Sequence, residues 1–358
     1  MAADVAQEIR FTRVGAHSVA FATAGSGPPL LVPGAWIGHL ELDWALPQLP
    51  EFVSGLARTH TVIRYDRLGI GLSDRDVEPD DRLGSARELA TIRAILTQLS
   101  IDQPVDVLGV SAGGATAVTL AATEPGRVRR MALYGVCVDG RAVAPQELRE
   151  ALVATVRAHW GVGSRALADV WLPDADPALR EGFATLQRAA ATPESAAAGL
   201  QAIYDTDLTD TLAGVRAPAI VLHRRHDRAV PFGQGRNLAA LLPDARLVAL
   251  EGAMHPPWLE DYGAVLREIR GFLAPDAEPA PVPAPPPAPA PEVTDETLSA
   301  REREVLRLVA EGLNDGEIAE RLIVSPHTVH RHVANIRAKL RQPSRAAAAA
   351  HAARHGMI

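Results

Sequence analysis

Gly109-Val110-Ser111-Ala112-Gly113-Gly114 is the stretch that decides the fold of this chain. An apolar run, Val105 to Val110, leads into the serine, and a small-residue, leucine-containing run, Ala115 to Thr123, leaves it. The order predicted is strand, sharp turn, helix. Glycines flank the serine because so tight a turn leaves no room for Cβ atoms beside it. The bare spacing Gly-x-Ser-x-Gly is cheap. With a strand before it and a helix after it, it becomes a nucleophile elbow, in which the serine Oγ stands clear of the backbone.

A serine hydroxyl is a weak nucleophile at neutral pH, so Ser111 needs a base within hydrogen-bond reach and an acid to orient that base. Later strand-like runs supply both. Ala219 to His223 is followed by Arg224-Arg225-His226-Asp227-Arg228, which puts a carboxylate in the loop before a helix. Arg246 to Leu250 is followed by Glu251-Gly252-Ala253-Met254-His255, which puts an imidazole in the last loop. Glu251 and Glu260 compete for the acid role, and His223 and His226 for the base, all less well placed. Serine, then acid, then histidine is the chain order of one class of serine hydrolases.

Outward from Ser111, strand-like runs alternate with helical ones. The strands expected are Ile9 to Val14 and Ser18 to Thr23 around a Gly15 turn, Leu30 to Val32, Thr61 to Tyr65, Val105 to Val110, Arg129 to Tyr134, Ala219 to His223 and Arg246 to Leu250. Helices are expected at Glu51 to Leu56, Leu83 to Leu99, Ala112 to Thr123, Phe232 to Leu242 and Trp258 to Leu273. This alternation predicts an α/β fold: a doubly wound, mostly parallel sheet covered on both faces and entered by an antiparallel hairpin. Between Gly135 and Pro218 the strands stop. Helices at Gln146 to Trp160, Ser164 to Trp171, Pro177 to Ala190 and Glu194 to Tyr204 would form a lid over about residues 137–216. Trp36, Trp160, Trp171, Phe183 and Tyr204 are the candidates to line a ligand pocket beneath it.

The chain has 358 residues, 47% of them hydrophobic and 22% charged, which fits a globular protein of two domains. Cys137 is the one cysteine, so no disulfide forms within the chain and a reducing compartment is expected. No basic segment precedes an apolar core at the N-terminus and no run approaches 18 apolar residues. A cytoplasmic protein without a membrane partner is the expectation. The sequence marks no metal site and no cofactor. The net charge is −7, but residues 321–358 hold seven basic side chains and no acidic one, which leaves −14 on the rest. Such a basic end on an acidic body points to a polyanion partner for that end alone.

Residues 274–293, APDAEPAPVPAPPPAPAPEV, form a Pro/Ala-rich spacer that can join neither helix nor sheet. At about 3.1 Å per residue its twenty residues span up to roughly 60 Å. The expected division is therefore a ligand or catalytic domain over 1–273, a linker over 274–293 and a small all-α domain over 294–358. In that last domain Ser299 and Glu302 make a capping box before an apolar face of Val305, Leu306, Val309 and Ala310. A second short helix starts near Asn314 and Asp315, with Ile318, Ala319 and Leu322 inward. Ser325 then caps a third helix, Pro326 to Leu340, whose apolar side is Val329, Val333, Ile336 and Leu340. Two helices joined by a short turn, the second with a polar, basic outer face, make a helix-turn-helix.

Residues 9–273 resemble the α/β-hydrolase family. The likeness rests on Val32-Pro33-Gly34-Ala35-Trp36-Ile37-Gly38-His39-Leu40-Glu41-Leu42-Asp43-Trp44, on Arg64-Tyr65-Asp66-Arg67-Leu68-Gly69-Ile70-Gly71-Leu72-Ser73-Asp74, and on the serine, acid, histidine order. It implies that Ser111 is the nucleophile, His255 the general base and Asp227 its orienter, with the backbone N–H groups of Ala35 and Ala112 as the oxyanion hole. Two departures stand out: Pro33-Gly34 where many members have His-Gly, and Gly252-Ala253-Met254-His255 where Gly-x-Gly-His is customary. Neither removes a catalytic group.

Residues 298 to about 355 resemble the LuxR/NarL-type DNA-binding domain through Arg301 to Val309, Glu311, Gly312, Glu317, Ile318, Ala319, Leu322, Ser325, Thr328, Val329, His332, Ile336, Lys339, Leu340 and Ser344. The resemblance implies double-stranded DNA as partner, with the third helix in the major groove and Thr328, His330, Arg331, Asn335 and Lys339 as contacts. Lysine is usual where this chain has His330, so a pH-sensitive or weaker phosphate contact replaces a fixed charge. The alanine-rich end, Arg345 to Ala353, is expected to be a fourth helix that helps a homodimer form. The family's usual receiver domain is missing, and a hydrolase-like domain stands in its place. The expected function is a transcription regulator that senses a small ester, lactone or apolar metabolite. The alternative is an active esterase or lactonase with an accessory DNA-binding domain.

Overall fold

The computed structural model describes residues 5–77, 84–276, 298–311, 313–322, 324–340, 345, 348–349 and 352. Contacts divide the chain into two compact units, Met1–Pro286 and Pro287–Ile358. Residues 277–293 of the Pro/Ala-rich spacer lie outside the described residues.

The first unit is built on an eight-stranded sheet: β1 (Glu8–Val14), β2 (His17–Ala24), β3 (Pro29–Val32), β4 (Thr61–Tyr65), β5 (Val105–Val110), β6 (Val128–Tyr134), β7 (Ala219–Arg224) and β8 (Ala245–Leu250). Their order across the sheet is β1-β2-β4-β3-β5-β6-β7-β8. β1 and β2 pair antiparallel, as do β2 and β4, and every later pairing is parallel. The central strands read as nearly unbroken apolar runs because helices cover both faces, which leaves no side for polar residues to occupy. On one face Leu31, Ile63, Val107, Met131 and Val221 pack with α2 (Ala86–Gln98) and α3 (Ala112–Thr123). On the other, Leu30, Val62, Leu108, Ala132 and Leu222 pack with α1 (Leu49–Ala57) and α10 (Tyr262–Leu273). α9 (Phe232–Leu241) fills the connection between β7 and β8. The strands and helices stand where the sequence pattern puts them, with end shifts of a few residues. One is at α10, which starts at Tyr262 and not at Trp258 because the Asp261 carboxylate caps it through the Ala264 N–H at 2.9 Å.

Between β6 and β7 lie α4 (Gln146–Ala158), α5 (Trp160–Trp171), α6 (Pro177–Ala190), α7 (Pro193–Asp205) and the one-turn α8 (Thr209–Leu212), which the sequence pattern did not mark. α4 stops two residues before the expected Trp160, and α5 begins there. At His159 the backbone leaves the helix (φ −150°, ψ 77°). Its ring nitrogen then accepts the Val162 N–H at 3.4 Å and restarts the chain as α5. The lid is pinned to the sheet domain through the loop after β4: the Gly71 N–H donates to the Ala190 carbonyl, and Ile70 bridges Ala191.

The second unit is all helical: α11 (Ala300–Ala310), α12 (Asp315–Leu322) and α13 (Pro326–Lys339). The capping box is formed in both directions, with the Ser299 hydroxyl on the Glu302 N–H and the Glu302 carboxylate on the Ser299 N–H. Val305, Leu306, Ile318, Val329 and Ile336 meet in its core. In the alanine-rich end Arg345, Ala348, Ala349 and Ala352 are helical, and Ala348 and Ala352 are buried in that same core. These two alanines therefore face inward and serve the domain itself. Among the described residues no helix is long and apolar enough to cross a membrane.

Candidate active site

Ser111 sits between the end of β5 and the first turn of α3, at φ +51° and ψ −124°. A non-glycine residue at such a positive φ carries backbone strain of order 1–3 kcal/mol, which surrounding structure must offset. Here the offset is visible. The Ser111 N–H donates to the Tyr134 carbonyl of β6 at 2.9 Å, and the Gly114 N–H returns to the Ser111 carbonyl at 2.9 Å. The hydroxyl is held away from the backbone, at the start of α3, where helix N–H groups have no partner within the helix.

A continuous hydrogen-bonded chain runs from that hydroxyl. Ser111 Oγ and His255 Nε2 are 2.8 Å apart, and His255 Nδ1 and Asp227 Oδ2 are 2.7 Å apart. His255 and Asp227 are both buried. The other Asp227 oxygen accepts the N–H groups of Ala229 at 2.8 Å and Val230 at 3.1 Å. Burial alone would raise the Asp227 pKa. The neighbouring His255 and His223 imidazoles, the His255 hydrogen bond and the Val230 N–H favour the ionised form, outweigh burial and hold the carboxyl below its ordinary range. With Asp227 ionised, Nδ1 is the protonated ring nitrogen and Nε2 is left to accept the Ser111 proton. That is the tautomer general-base catalysis requires.

The competing groups have other work. His223 Nε2 lies 2.8 Å from the Val230 carbonyl, so it carries the proton and donates. Its Nδ1 is buried without a hydrogen bond, and desolvation lowers its pKa, which keeps the ring neutral. His226 is exposed. Glu251 pairs with Arg225 at 3.0 Å. Glu260 organises the histidine loop: it accepts the Ala253 and Met254 N–H groups and is gripped by Arg224, whose Nε also donates to the Tyr134 hydroxyl at 2.7 Å. Cys137 is buried, and desolvation pushes its thiol up to about 12, so it offers no thiolate near neutral pH.

Two glycines make the approach possible. A Cβ on Gly113 would lie 2.6 Å from the Pro33 carbonyl oxygen, so only glycine lets the loop that carries Ala35 close on the first turn of α3. Gly135, at φ +60°, follows β6, and a Cβ there would lie 2.9 Å from His255 Cε1. Gly135 was not singled out from the sequence. Its position directly after a strand that neighbours the serine strand was the available signal.

A cavity of about 130 Å³ lies between α1, the strand ends and the lid, and Ser111, Asp227 and His255 are not among the residues that line it. Ala35 lines it, as do Val110, which precedes Ser111 in the chain, Leu49, Phe52 and Val53 of α1 and Trp171 and Phe183 of the lid. The Trp171 ring lies 6.2 Å from the His255 ring, and its carbonyl accepts the His255 N–H at 2.8 Å. The expected pocket aromatics thus divide. Trp171 and Phe183 stand in the cavity wall. Trp36, Trp160 and Tyr204 pack instead into a lid cluster with Val156, Leu167 and Leu200, because their polar groups find partners there. The Trp36 indole N–H donates to the Ala196 carbonyl at 3.1 Å, that of Trp160 to Ala191 at 3.0 Å, and Arg149 lies over the Tyr204 ring.

In the helical unit the expected DNA contacts also divide. Arg331 and Asn335 are exposed on α13, and so is His330, with Nδ1 3.5 Å from an Asp315 oxygen. The Lys339 ammonium is bonded at 2.9 Å to Glu302, the buried acid of the capping box, and the Thr328 hydroxyl is 2.8 Å from that of Ser325. Lys339 and Thr328 thus each have a partner within the domain, although Lys339 remains exposed. Burial would raise the Glu302 pKa, but the Lys339 and Ser299 hydrogen bonds outweigh it and lower it.

A mostly parallel sheet, a serine on a strained strand-to-helix turn and a buried histidine and aspartate behind it define an α/β hydrolase. The chain belongs to that family: the model described as "alpha/beta hydrolase fold" matches residues 28–262, well over half of the chain. Residues 296–352 match "Bacterial regulatory proteins, luxR family", so a LuxR-type DNA-binding domain is fused to the hydrolase domain. A pimeloyl-[acyl-carrier protein] methyl ester esterase of Aliivibrio salmonicida (strain LFI1238) is 27% identical over 277 residues, covering 73% of this chain and 98% of the relative. Two crystal structures are similar as well. A hydrolase from Pseudomonas aeruginosa PA01 has 26% identity and a TM-score of 0.63, covering 75% of this chain and 98% of that one. The enol-lactonase from Burkholderia xenovorans LB400 has 25% identity and a TM-score of 0.61, covering 74% and 99%.

Proposed function

We propose that this protein is a one-component transcription regulator whose hydrolase domain takes up a small ester or lactone beside Ser111 and whose LuxR-type domain, acting as a homodimer, reports it to DNA. The observation that carries the reading is the fusion itself. One chain holds an ordered Ser111, His255, Asp227 site with an apolar cavity, and a helix-turn-helix domain with exposed Arg331 and Asn335 on its third helix. A similarity to a methyl ester esterase and to an enol-lactonase supports acyl compounds as the ligand class.

In this reading Ser111 attacks the carbonyl while His255 takes its proton, Asp227 steadies the imidazolium, and the N–H groups of Ala35 and Ala112 receive the oxyanion. In acylation the ester C–O bond breaks and His255 gives the proton to the departing alcohol oxygen, which marks the bound state; slow hydrolysis by water, activated by His255, frees the acid and resets it. The ligand has to favour one DNA-binding state over the other, since tight binding without that difference shifts nothing.

The test is a titration of the DNA upstream of the chain's own coding sequence with full-length protein, with and without p-nitrophenyl hexanoate, for wild type and Ser111→Ala. An ester-dependent change in DNA affinity of about tenfold, about 1.4 kcal/mol, is the expected result. Unchanged affinity together with steady ester turnover at ordinary esterase rates, abolished by Ser111→Ala, overturns it. That outcome favours the second reading, an active serine hydrolase with an accessory DNA-binding domain, which the complete hydrogen-bonded chain at Ser111 supports.

A further inference from the structure

Three consecutive backbone N–H groups lead up to the His255 ring, and one carboxylate takes two of them. Glu260 accepts the Ala253 N–H at 3.1 Å and the Met254 N–H at 3.2 Å, while the Trp171 carbonyl accepts that of His255 at 2.8 Å. Glu260 does not keep this place unaided. Its backbone sits at φ +54°, in the left-handed region that a non-glycine residue leaves unless its neighbours hold it there. Arg224 supplies the hold. Its side chain is fully buried, and Nη1 donates to the Glu260 carboxylate and to the Glu251 carbonyl at 3.3 Å, Nη2 to the Leu259 carbonyl and Nε to the Tyr134 hydroxyl at 2.7 Å. The acceptors thus come from both ends of the histidine loop and from β6, a spread that a planar guanidinium fork can serve and a single ammonium cannot. Gly252 fits the same arrangement. At φ +114°, a Cβ there would meet the Glu260 carboxylate and lie 2.6 Å from Arg224 Nη1, so the loop closes on this pair only with glycine.

Tyr134 ties the clamp to the serine turn. Its carbonyl accepts the Ser111 N–H at 2.9 Å, and its hydroxyl takes the Arg224 Nε–H. One residue of β6 therefore meets Ser111 through its main chain and the histidine loop through Arg224. A buried ion pair is weak evidence for stability, since well-packed apolar residues often serve as well. What this one adds is register between two loops. Resting on the reading of Ser111 as nucleophile and His255 as its base, we infer that Arg224, acting through Glu260, is a positioning residue that keeps His255 Nε2 within reach of Ser111 Oγ. The pair works through the loop backbone, so it bears on the rate of acylation and not on the binding of the ester.

The test uses full-length protein as wild type, Glu260→Gln, Tyr134→Phe and the double variant. Glu260→Gln keeps an acceptor for the loop N–H groups and drops the charge that Arg224 grips. Tyr134→Phe removes an Arg224 partner and keeps the carbonyl that holds Ser111. In single-turnover acylation by p-nitrophenyl hexanoate the saturating rate should fall by about 10²-fold in Glu260→Gln and about tenfold in Tyr134→Phe, with the half-saturating ester concentration within about twofold of wild type. Both variants act through Arg224, so the double variant should lose no more than Glu260→Gln alone. The low-field proton NMR resonance of the His255 Nδ1–H, held by Asp227, reads the same loop without turnover. It should broaden in Glu260→Gln and Tyr134→Phe and stay sharp in Arg225→Gln, which breaks only the exposed pair with Glu251.

A lowered melting temperature with saturating rate and resonance unchanged would make the clamp structural and overturn the proposal. So would losses that multiply in the double variant, a raised half-saturating concentration at an unchanged saturating rate, or equal damage from Arg225→Gln. Should Glu260→Gln not fold, Tyr134→Phe set against Arg225→Gln decides by the same two readouts. If wild type is not acylated while the resonance follows the variants as expected, the nucleophile reading falls and the positioning of His255 stands. If wild type is acylated and Glu260→Gln matches it, the reverse holds.

Discussion

The Ser111 site and helix α13 use polar side chains in opposite ways. At Ser111 the catalytic side chains are committed before a ligand arrives: the serine hydroxyl to His255, the imidazole to two partners, the Asp227 carboxylate to His255 and two backbone N–H groups. On α13 Arg331, Asn335 and Lys339 all stand exposed, but Lys339 is ion-paired to Glu302 and the Thr328 hydroxyl is bonded to that of Ser325. The difference follows from the partner. Chemistry on a small molecule needs groups fixed in a dry site before reaction, whereas a polyanion is met by exposed charge that adjusts on contact. Substitutions at the first site should therefore act on geometry and be steep. Those on the second should act on charge, be shallower and depend on salt.

The steepest expected effect is at Asp227. Asp227→Asn keeps the shape but turns the His255 tautomer, and acylation of Ser111 by p-nitrophenyl hexanoate should slow by about 10⁴-fold, read from single-turnover release of nitrophenolate. The same residue gives a stability signature. Its folded pKa lies below the unfolded one, so its contribution is present above the unfolded carboxylate range and is lost as pH falls through the folded value. Asp227→Asn should flatten the acid limb of melting temperature against pH. An unchanged acylation rate would leave the site no more committed than α13.

Next comes Gly135→Ala. The new methyl would sit 2.9 Å from His255 Cε1 at a backbone of φ +60°. A displaced imidazole should lower acylation by about 10²-fold, with about 1–2 kcal/mol of lost stability from the left-handed backbone. Gly135→Ala at full activity would mean that the imidazole has slack, contrary to the contrast drawn above.

What was legible in the sequence follows the same division. Ser111, Asp227 and His255 were readable because each follows an apolar strand run, and the sheet stacks those strand ends side by side. The cavity was not, because its wall gathers residues from 32–66, 108–110, 171–187 and 257–258, which no local period connects. The expected pocket aromatics misled for a related reason. A tryptophan pattern does not say which way the indole faces, and Trp36 and Trp160 turned toward lid carbonyls. At Lys339 the sequence hid a second role, since the acid of a capping box 37 residues earlier lies beside it in the fold.

Arg331 and Lys339 give the smaller effects and separate the two uses of charge within α13. Arg331→Ala should weaken binding to the cognate DNA by about tenfold and lower the slope of log affinity against log salt by about 1, with the melting temperature unchanged.

Lys339→Met should do the opposite. The Lys339 to Glu302 bond ties α13 to the N-terminus of α11. Breaking it leaves the buried Glu302 carboxylate with only the Ser299 N–H as partner, which should destabilise the LuxR-type domain by about 1 kcal/mol. Glu302 has a lowered pKa, so its contribution is present above the unfolded carboxylate range and lost below its folded value. The penalty of Lys339→Met should therefore appear near neutral pH and shrink as Glu302 is protonated, read from chemical denaturation at pH 7 and pH 4. The salt slope of DNA binding should hardly move. A fall of that slope by a full unit, as for Arg331, with stability unchanged would return Lys339 to the DNA face and erase the division within the helix.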